Sequence, residues 1–196
     1  SGSVGYTGFN RVRTFLKEAK SYMGSTSRIG VVRFSSSATI IHELDDGLDN
    51  FDQAIDRMSF PSSSTNTAAG LKTAYEHILL KHRRDATKTI VLMTDGYSNN
   101  RAAYDAEIAK IKSGPLSFNL QAIGFGSSMN AKVNMQELKE FNQPPQILDD
   151  VSFENPAAAV IQDICAGTVM YSNTNEFKTC SFGGQSINVV IDISHK

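Results

Sequence analysis

Along the first stretch of the chain apolar residues recur at helical spacing: Phe9, Val12, Phe15, Leu16, Ala19 and Met23 share one face, while Arg11, Arg13, Lys17 and Lys20 fall mostly off it. The pattern predicts an amphipathic helix laid on a sheet. Ile29–Phe34 and Ala38–His42 then read as two short strands, and the three serines between them suit a hairpin at a sheet edge. Helical patterns follow over about Asp49–Met58 and Ala68–His82, the second carrying Leu71, Ala74, Tyr75, Ile78 and Leu79. The polar loop Pro61–Thr67 separates them, with Thr67 as the expected N-cap. Thr89–Thr94 is a nearly continuous apolar run that stops at Asp95-Gly96, the pattern of a strand buried on both faces, and such strands belong to parallel sheets.

The alternation continues with a helix over about Arg101–Ile111, a strand Phe118–Gly124, a helix over about Val133–Phe141, a strand Gln146–Leu148 and a helix over about Pro156–Cys165. Strand and helix in turn predict an α/β fold: a doubly wound, mostly parallel sheet with helices on both faces and one antiparallel edge strand. No internal repeat argues for a solenoid. After Cys165 the pattern changes. Residues 166–185 are polar, carry no helical period and read as a linker, so residues 1–165 form the expected domain. Residues 186–196 then open with Ser186–Asp192, a second buried-strand pattern that also stops in an aspartate and has no helix after it.

Composition narrows the class of function. With 196 residues, 40% of them hydrophobic, the chain can bury one substantial core. Its 19 Lys+Arg against 20 Asp+Glu leave a formal charge of −1, so no cationic excess serves a nucleic acid or an anionic membrane. No run of 18 apolar residues predicts a membrane span, and SGSVGYTGFN lacks the basic start and apolar stretch of a signal peptide. Cys165 and Cys180 are too few for a disulfide scaffold or an all-cysteine zinc site; they permit one bridge, or one partner each elsewhere. His77 and His82 are five apart, not the i, i+4 pair of a helical metal site, and His42 and His195 are isolated, so all four read as packed or solvated. GxSxG, GxGxxG and the P-loop are missing, which disfavours a cofactor enzyme.

In an open parallel sheet ligands bind beyond the carboxyl ends of the strands. Three polar segments fall there: Ser1-Gly-Ser-Val-Gly5, Thr65-Asn-Thr67 and Thr94-Asp-Gly96. Hydroxyls with a single carboxylate are poor acid/base machinery but suit a hard divalent cation, which takes oxygen ligands. Alone, Thr65 reads as a turn or cap residue and Asp95-Gly96 as a plain turn.

Taken together and in this order, SGSVG before an amphipathic helix, STNTAAGL opening another and IVLMTDG at a strand end resemble the von Willebrand factor type A (vWA) domain, the fold shared with integrin I domains. The resemblance covers residues 1 to about 165. It implies a metal-ion-dependent adhesion site (MIDAS), written D-x-S-x-S with a Thr from a second loop and an Asp from a third. Ser1 and Ser3 match the two serines, Thr65 the threonine and Asp95 the third-loop aspartate. The resemblance makes Ser1, Ser3 and Thr65 direct or near-direct ligands of Mg²⁺ (or Mn²⁺ or Ca²⁺) and Asp95 a ligand through water, with a partner's carboxylate filling the remaining position.

One departure stands out. The first Asp of the motif, and the central strand that carries it, would lie before Ser1. The tail INVVIDIS matches both, with Asp192 in the Asp position and Ser194 in the first Ser position, although Lys196 stands where the second Ser belongs. Two readings follow. Either the tail begins the next domain of a tandem array, or it folds back as the missing central strand, within this chain or swapped from a neighbour in an oligomer; 20 linker residues reach up to about 66 Å. Cys165, in the phrase DICAG, resembles the cysteines that flank such domains in matrix proteins. A Cys165–Cys180 bridge would contribute about 3 kcal/mol, and two buried free thiols are the alternative. There is no N-x-S/T sequon, so the expectation of a secreted, extracellular-matrix protein rests on the resemblance. The resulting expectation is a non-enzymatic adhesion module that binds an extracellular protein such as collagen or another matrix protein through a divalent cation. The alternative is a metal-independent structural matrix module on a degenerate vWA scaffold. A hydrolase has least in its favour.

Overall fold

The structure, a computed structural model, describes residues 5–23, 26–60, 64–94, 97–125, 134–141, 146–148 and 185–192. Its elements run α1 (Gly5–Ser21), β1 (Arg28–Phe34), β2 (Ala38–His42), α2 (Phe51–Arg57), α3 (Thr67–Lys81), β3 (Thr87–Thr94), α4 (Arg101–Ser113), β4 (Phe118–Phe125), α5 (Met135–Phe141), β5 (Gln146–Leu148) and β6 (Gln185–Asp192). The helix expected over Pro156–Cys165, both cysteines and residues 166–184 lie outside the described residues.

The six strands form one sheet in the order β2-β1-β6-β3-β4-β5. Among the described strands only the β1–β2 pair is antiparallel; β1–β6, β6–β3, β3–β4 and β4–β5 are parallel. The hairpin through Ser35–Ser37 therefore makes the edge that the sequence predicts. The last of the described strands, β6, occupies a central slot. Ile29, Val31 and Phe34 of β1 are aligned with Ile187, Val189 and Asp192, and Thr89, Val91 and Met93 of β3 with Ile187, Val189 and Ile191.

Alternation along the strands builds two cores, one per face. On the first face the predicted apolar stripe of α1, Phe9 through Met23, is buried with Phe51, Ile55 and Met58 against Ile29, Val31, Val91 and Met93. On the second, Leu71, Ala74, Tyr75 and Ile78 of α3 join Tyr104, Ile108 and Ile111 of α4 and Leu138 and Phe141 of α5 over Val32, Phe34, Ile90 and Leu92. From Thr89 to Thr94 β3 is buried throughout, as a two-faced strand requires. At the exposed seam between α1 and α2, Arg13 and Lys17 both reach Asp56 (2.8 and 2.7 Å) and Lys20 reaches Asp52 at 3.0 Å. The Lys17 ammonium, first among the neighbours, holds the Asp56 carboxyl below its ordinary range. Exposed pairs of this kind orient the helices more than they stabilise them.

One contact at the amino-terminal end of the sheet is tight enough to test. A Cβ built on Gly114, where α4 ends, would overlap the hydroxyl of buried Tyr75 and come within 3.1 Å of the Lys110 carbonyl. Gly114→Ala is expected to lower stability by about 1–3 kcal/mol through overpacking, measured by urea denaturation.

Candidate functional site

The carboxyl ends of β1, β6 and β3 lie side by side at one edge of the sheet, and the loops that follow β1 and β3 are tied to the segment before α3. Ser35, buried just past β1, accepts a hydrogen bond through its carbonyl from the Asn66 amide at 2.7 Å. On the other side, the Asn99 amide of the loop after β3 donates to the Thr65 carbonyl at 2.9 Å. The Thr65–Asn66 segment therefore bridges the loops flanking the end of β6. Asp192, aligned with Phe34 and one residue past the Ile191–Met93 pair, ends that strand at the same level as Thr94. Thr65 and Thr94 are only 1% and 2% exposed, so their hydroxyls sit in a water-poor setting where an oxygen donor counts for more.

Asn66, not Thr67, caps α3: its Oδ1 accepts from the Ala69 amide at 3.1 Å, and its Nδ2 donates to the Ser36 carbonyl at 3.4 Å. Thr67 is already the first helical residue, with its side chain buried. The sequence carried the signal, because Asn is at least as good a cap as Thr. Asn100 caps α4 in the same way, accepting from Ala103 at 3.0 Å. Both caps lie beside the candidate site, so the helices start there with fixed geometry.

Of the residues the sequence singles out, Thr65 and the backbone of Asp192 come to this edge. Asp95 directly follows Thr94 in the chain, but Asp95, Ser1 and Ser3 lie outside the described residues. Two acid and base groups near α5 were not foreseen. Glu137 is a buried carboxylate whose Oε2 accepts from the Ser98 amide at 3.0 Å. Arg101 faces it at 3.7 Å and also pairs with Asp105 at 2.8 Å and with Glu140. The Tyr104 hydroxyl donates to the Glu137 carbonyl at 2.8 Å; burial, then the Glu137 charge, push that phenol far above its ordinary range. One of two acidic residues on a short helix gives no sign in sequence that it will meet a loop 39 positions away.

The histidines are packed or half-buried where they are described. His42 is buried, with Nδ1 at 2.8 Å from the Ile29 carbonyl and its ring edge-on to Phe51. His77, also buried, lies 2.8 Å from Glu43 through Nε2, paired just past the end of β2. His82 turns back onto the Ile78 and Leu79 carbonyls. Among the described residues no three His, Cys, Asp or Glu side chains are grouped to hold a metal. The described donors at the edge are hydroxyl and carbonyl oxygens, and that donor set fits a hard divalent cation rather than a thiolate- or imidazole-seeking one.

An open α/β sheet with its polar loops gathered at the carboxyl edge defines a class of ligand-binding domain. The sequence profile of the von Willebrand factor type A domain matches residues 1–166, and the chain belongs to that family. The collagen alpha-2(VI) chain of Gallus gallus is 31% identical over 111 residues, covering 49% of this chain and 11% of its own length. The chain thus spans about a tenth of that relative. Among solved structures, the manganese-loaded TRAP protein of Plasmodium vivax superposes with a TM-score of 0.58 at 22% identity, covering 76% of this chain and 65% of that one. Proximal thread matrix protein 1 of the mussel byssus gives a TM-score of 0.60 at 23% identity, with 72% and 38% covered. The same byssus protein, with a zinc-occupied MIDAS motif, gives 0.54 at 23%, with 69% and 34% covered. At these identities the two solved proteins share the fold with this chain. None of the described helices is long and apolar enough to cross a membrane.

Proposed function

We propose that this domain is a non-enzymatic adhesion module of a secreted, extracellular-matrix protein, binding a protein partner such as collagen through a divalent cation at the carboxyl edge of the sheet. Ser1, Ser3, Thr65, Asp95 and Asp192 would hold the cation, Mg²⁺ or Mn²⁺ by their preference for oxygen ligands. Bound there, the cation would supply a positive centre with a position open to an Asp or Glu carboxylate of the partner. In this reading residues 185–192 complete the domain, and the D-x-S-x-S motif is assembled from the two ends of the chain: Asp192 from one, Ser1 and Ser3 from the other.

The observation that carries the reading is the end of β6, which puts the Asp192 backbone between the two loops that the Thr65–Asn66 segment bridges. Family membership supports it, as do a collagen relative and neighbours described as manganese-loaded or zinc-occupied. The chain's own residues do the rest. Buried Thr65 keeps water from one side of the site, the Asn66 cap fixes the loop that carries it, and the Asn99–Thr65 bond sets its distance from the Asp95 loop.

A specific observation favours a second reading, a metal-independent structural module: Lys196 stands where the family has its second serine after Asp192. Capture of the chain on immobilised collagen, with Mg²⁺ and then with chelator, separates the two. Retention that chelator removes is expected. Equal retention under both conditions supports the structural module.

A further inference from the structure

The loop that follows Asp95 is held from two sides. On one, the Asn99 amide donates to Thr65, the threonine of the candidate cation site. On the other, the Ser98 amide donates to the Glu137 carboxylate at 3.0 Å. Glu137 is an expensive choice for this work, since its residue is 6% exposed and a buried carboxylate costs several kcal/mol unless it is paired and hydrogen-bonded. It sits in the first turn of α5, a helix of only 7 residues, too short to persist by itself in water. Tertiary contacts must therefore fix α5. Leu138 and Phe141 are sunk in the second core, Tyr104 donates to the Glu137 carbonyl at 2.8 Å, and Lys112 donates to the Glu140 carbonyl at 2.7 Å. Arg101, at the start of α4, faces the Glu137 carboxylate at 3.7 Å and pairs with Glu140 as well.

We propose that Glu137 is the positioning residue of the cation site, its buried carboxylate fixing the Asp95 loop through the Ser98 amide so that cation affinity depends on the docking of α5. This rests on the cation-site reading above. The geometry distinguishes it from a plain structural ion pair. The Ser98 amide is the closer contact and Arg101 the longer one, and Arg101 has two other acidic partners. A side chain that only neutralised Arg101 would have no need to reach the loop.

The test is Mn²⁺ titration of the full chain as wild type, Glu137→Ala, Glu137→Gln and Asp95→Ala, combined with amide hydrogen exchange in the metal-free state. Glu137→Ala removes the acceptor and is expected to weaken Mn²⁺ binding by about 10- to 100-fold, the cost of losing a group that orients a metal ligand. Ser98 exchange should rise about tenfold or more while β3 and β4 stay protected. Glu137→Gln keeps a carbonyl oxygen in reach of the amide and is expected to stay within about threefold of wild type in both readouts. Should Glu137→Ala lose its folding transition, Glu137→Asp takes its place, keeping the charge but drawing back by one methylene. Wild-type affinity in the Ala or Asp variant, with binding still lost in Asp95→Ala, overturns the proposal and leaves the cation site standing. Equal losses in the Gln and Ala variants overturn it in favour of the ion pair with Arg101. No Mn²⁺ binding by the wild type removes the site reading and this proposal together.

Discussion

Replacing Val189 by proline is expected to lower stability by at least about 1–3 kcal/mol, the cost of leaving a ladder carbonyl without its donor. Val189 lies mid-strand in β6, aligned with Val31 on one side and Val91 on the other. A proline there deletes a ladder donor and fixes φ far from the parallel-strand value, and proline is essentially confined to edges and bulges for that reason. The loss is large against the 5–15 kcal/mol that typically holds a domain together. It also falls at the worst place, because β1 and β3 meet each other only through β6. Val189→Ala keeps the N–H and separates backbone from side chain; it should unfold cooperatively with a smaller loss. Urea denaturation followed by circular dichroism reads both. If Val189→Pro unfolds like the wild type, β6 is not a strand of this unit, and the tail belongs to a following domain.

The second large effect concerns the two aspartates. Asp95→Ala and Asp192→Ala are each expected to eliminate saturable Mg²⁺ and Mn²⁺ binding in a calorimetric titration. Losing a group that merely orients a ligand weakens metal affinity about 10- to 100-fold, so losing a carboxylate of the site should cost at least about 100-fold. Each variant keeps only one of the two carboxylates, and the hydroxyls of Ser1, Ser3 and Thr65 carry no charge to balance a divalent ion. The pattern of losses is informative. Loss in both variants makes the tail part of a working site. Loss only in Asp95→Ala means that a carboxylate other than Asp192 completes the shell. If the wild type itself takes up neither cation, the structural module is the surviving reading, and collagen capture should then be indifferent to chelator.

Much of this architecture is written in local patterns. All six apolar positions assigned to the face of α1 are buried, because amphipathic spacing reports directly which side meets the sheet. The unbroken run at Thr89–Thr94 likewise marks β3 as interior. What periodicity does not encode is which strands become neighbours. INVVID reads as a buried strand wherever it is placed, and only the sheet order puts it between residues 28–34 and 87–94. The candidate site divides in the same way. Thr65 could be singled out through the resemblance of three short motifs, taken in order, to the vWA domain. Glu137 could not, since its meeting with Ser98 depends on how α5 docks on the second core, through residues remote from both.

The central position of β6 also has a consequence in time. During synthesis β1 leaves the ribosome about 150 residues before its inner partner does, which at 5–20 residues per second is a delay of roughly 8–30 s. Until then β1, and β3 once it has emerged, each present an edge that β6 does not yet cover. Pairings so distant in sequence are also slow to find once the chain is complete. The yield of this chain on refolding should therefore fall steeply with protein concentration, because any other strand that reaches the open place between β1 and β3 first is a competitor.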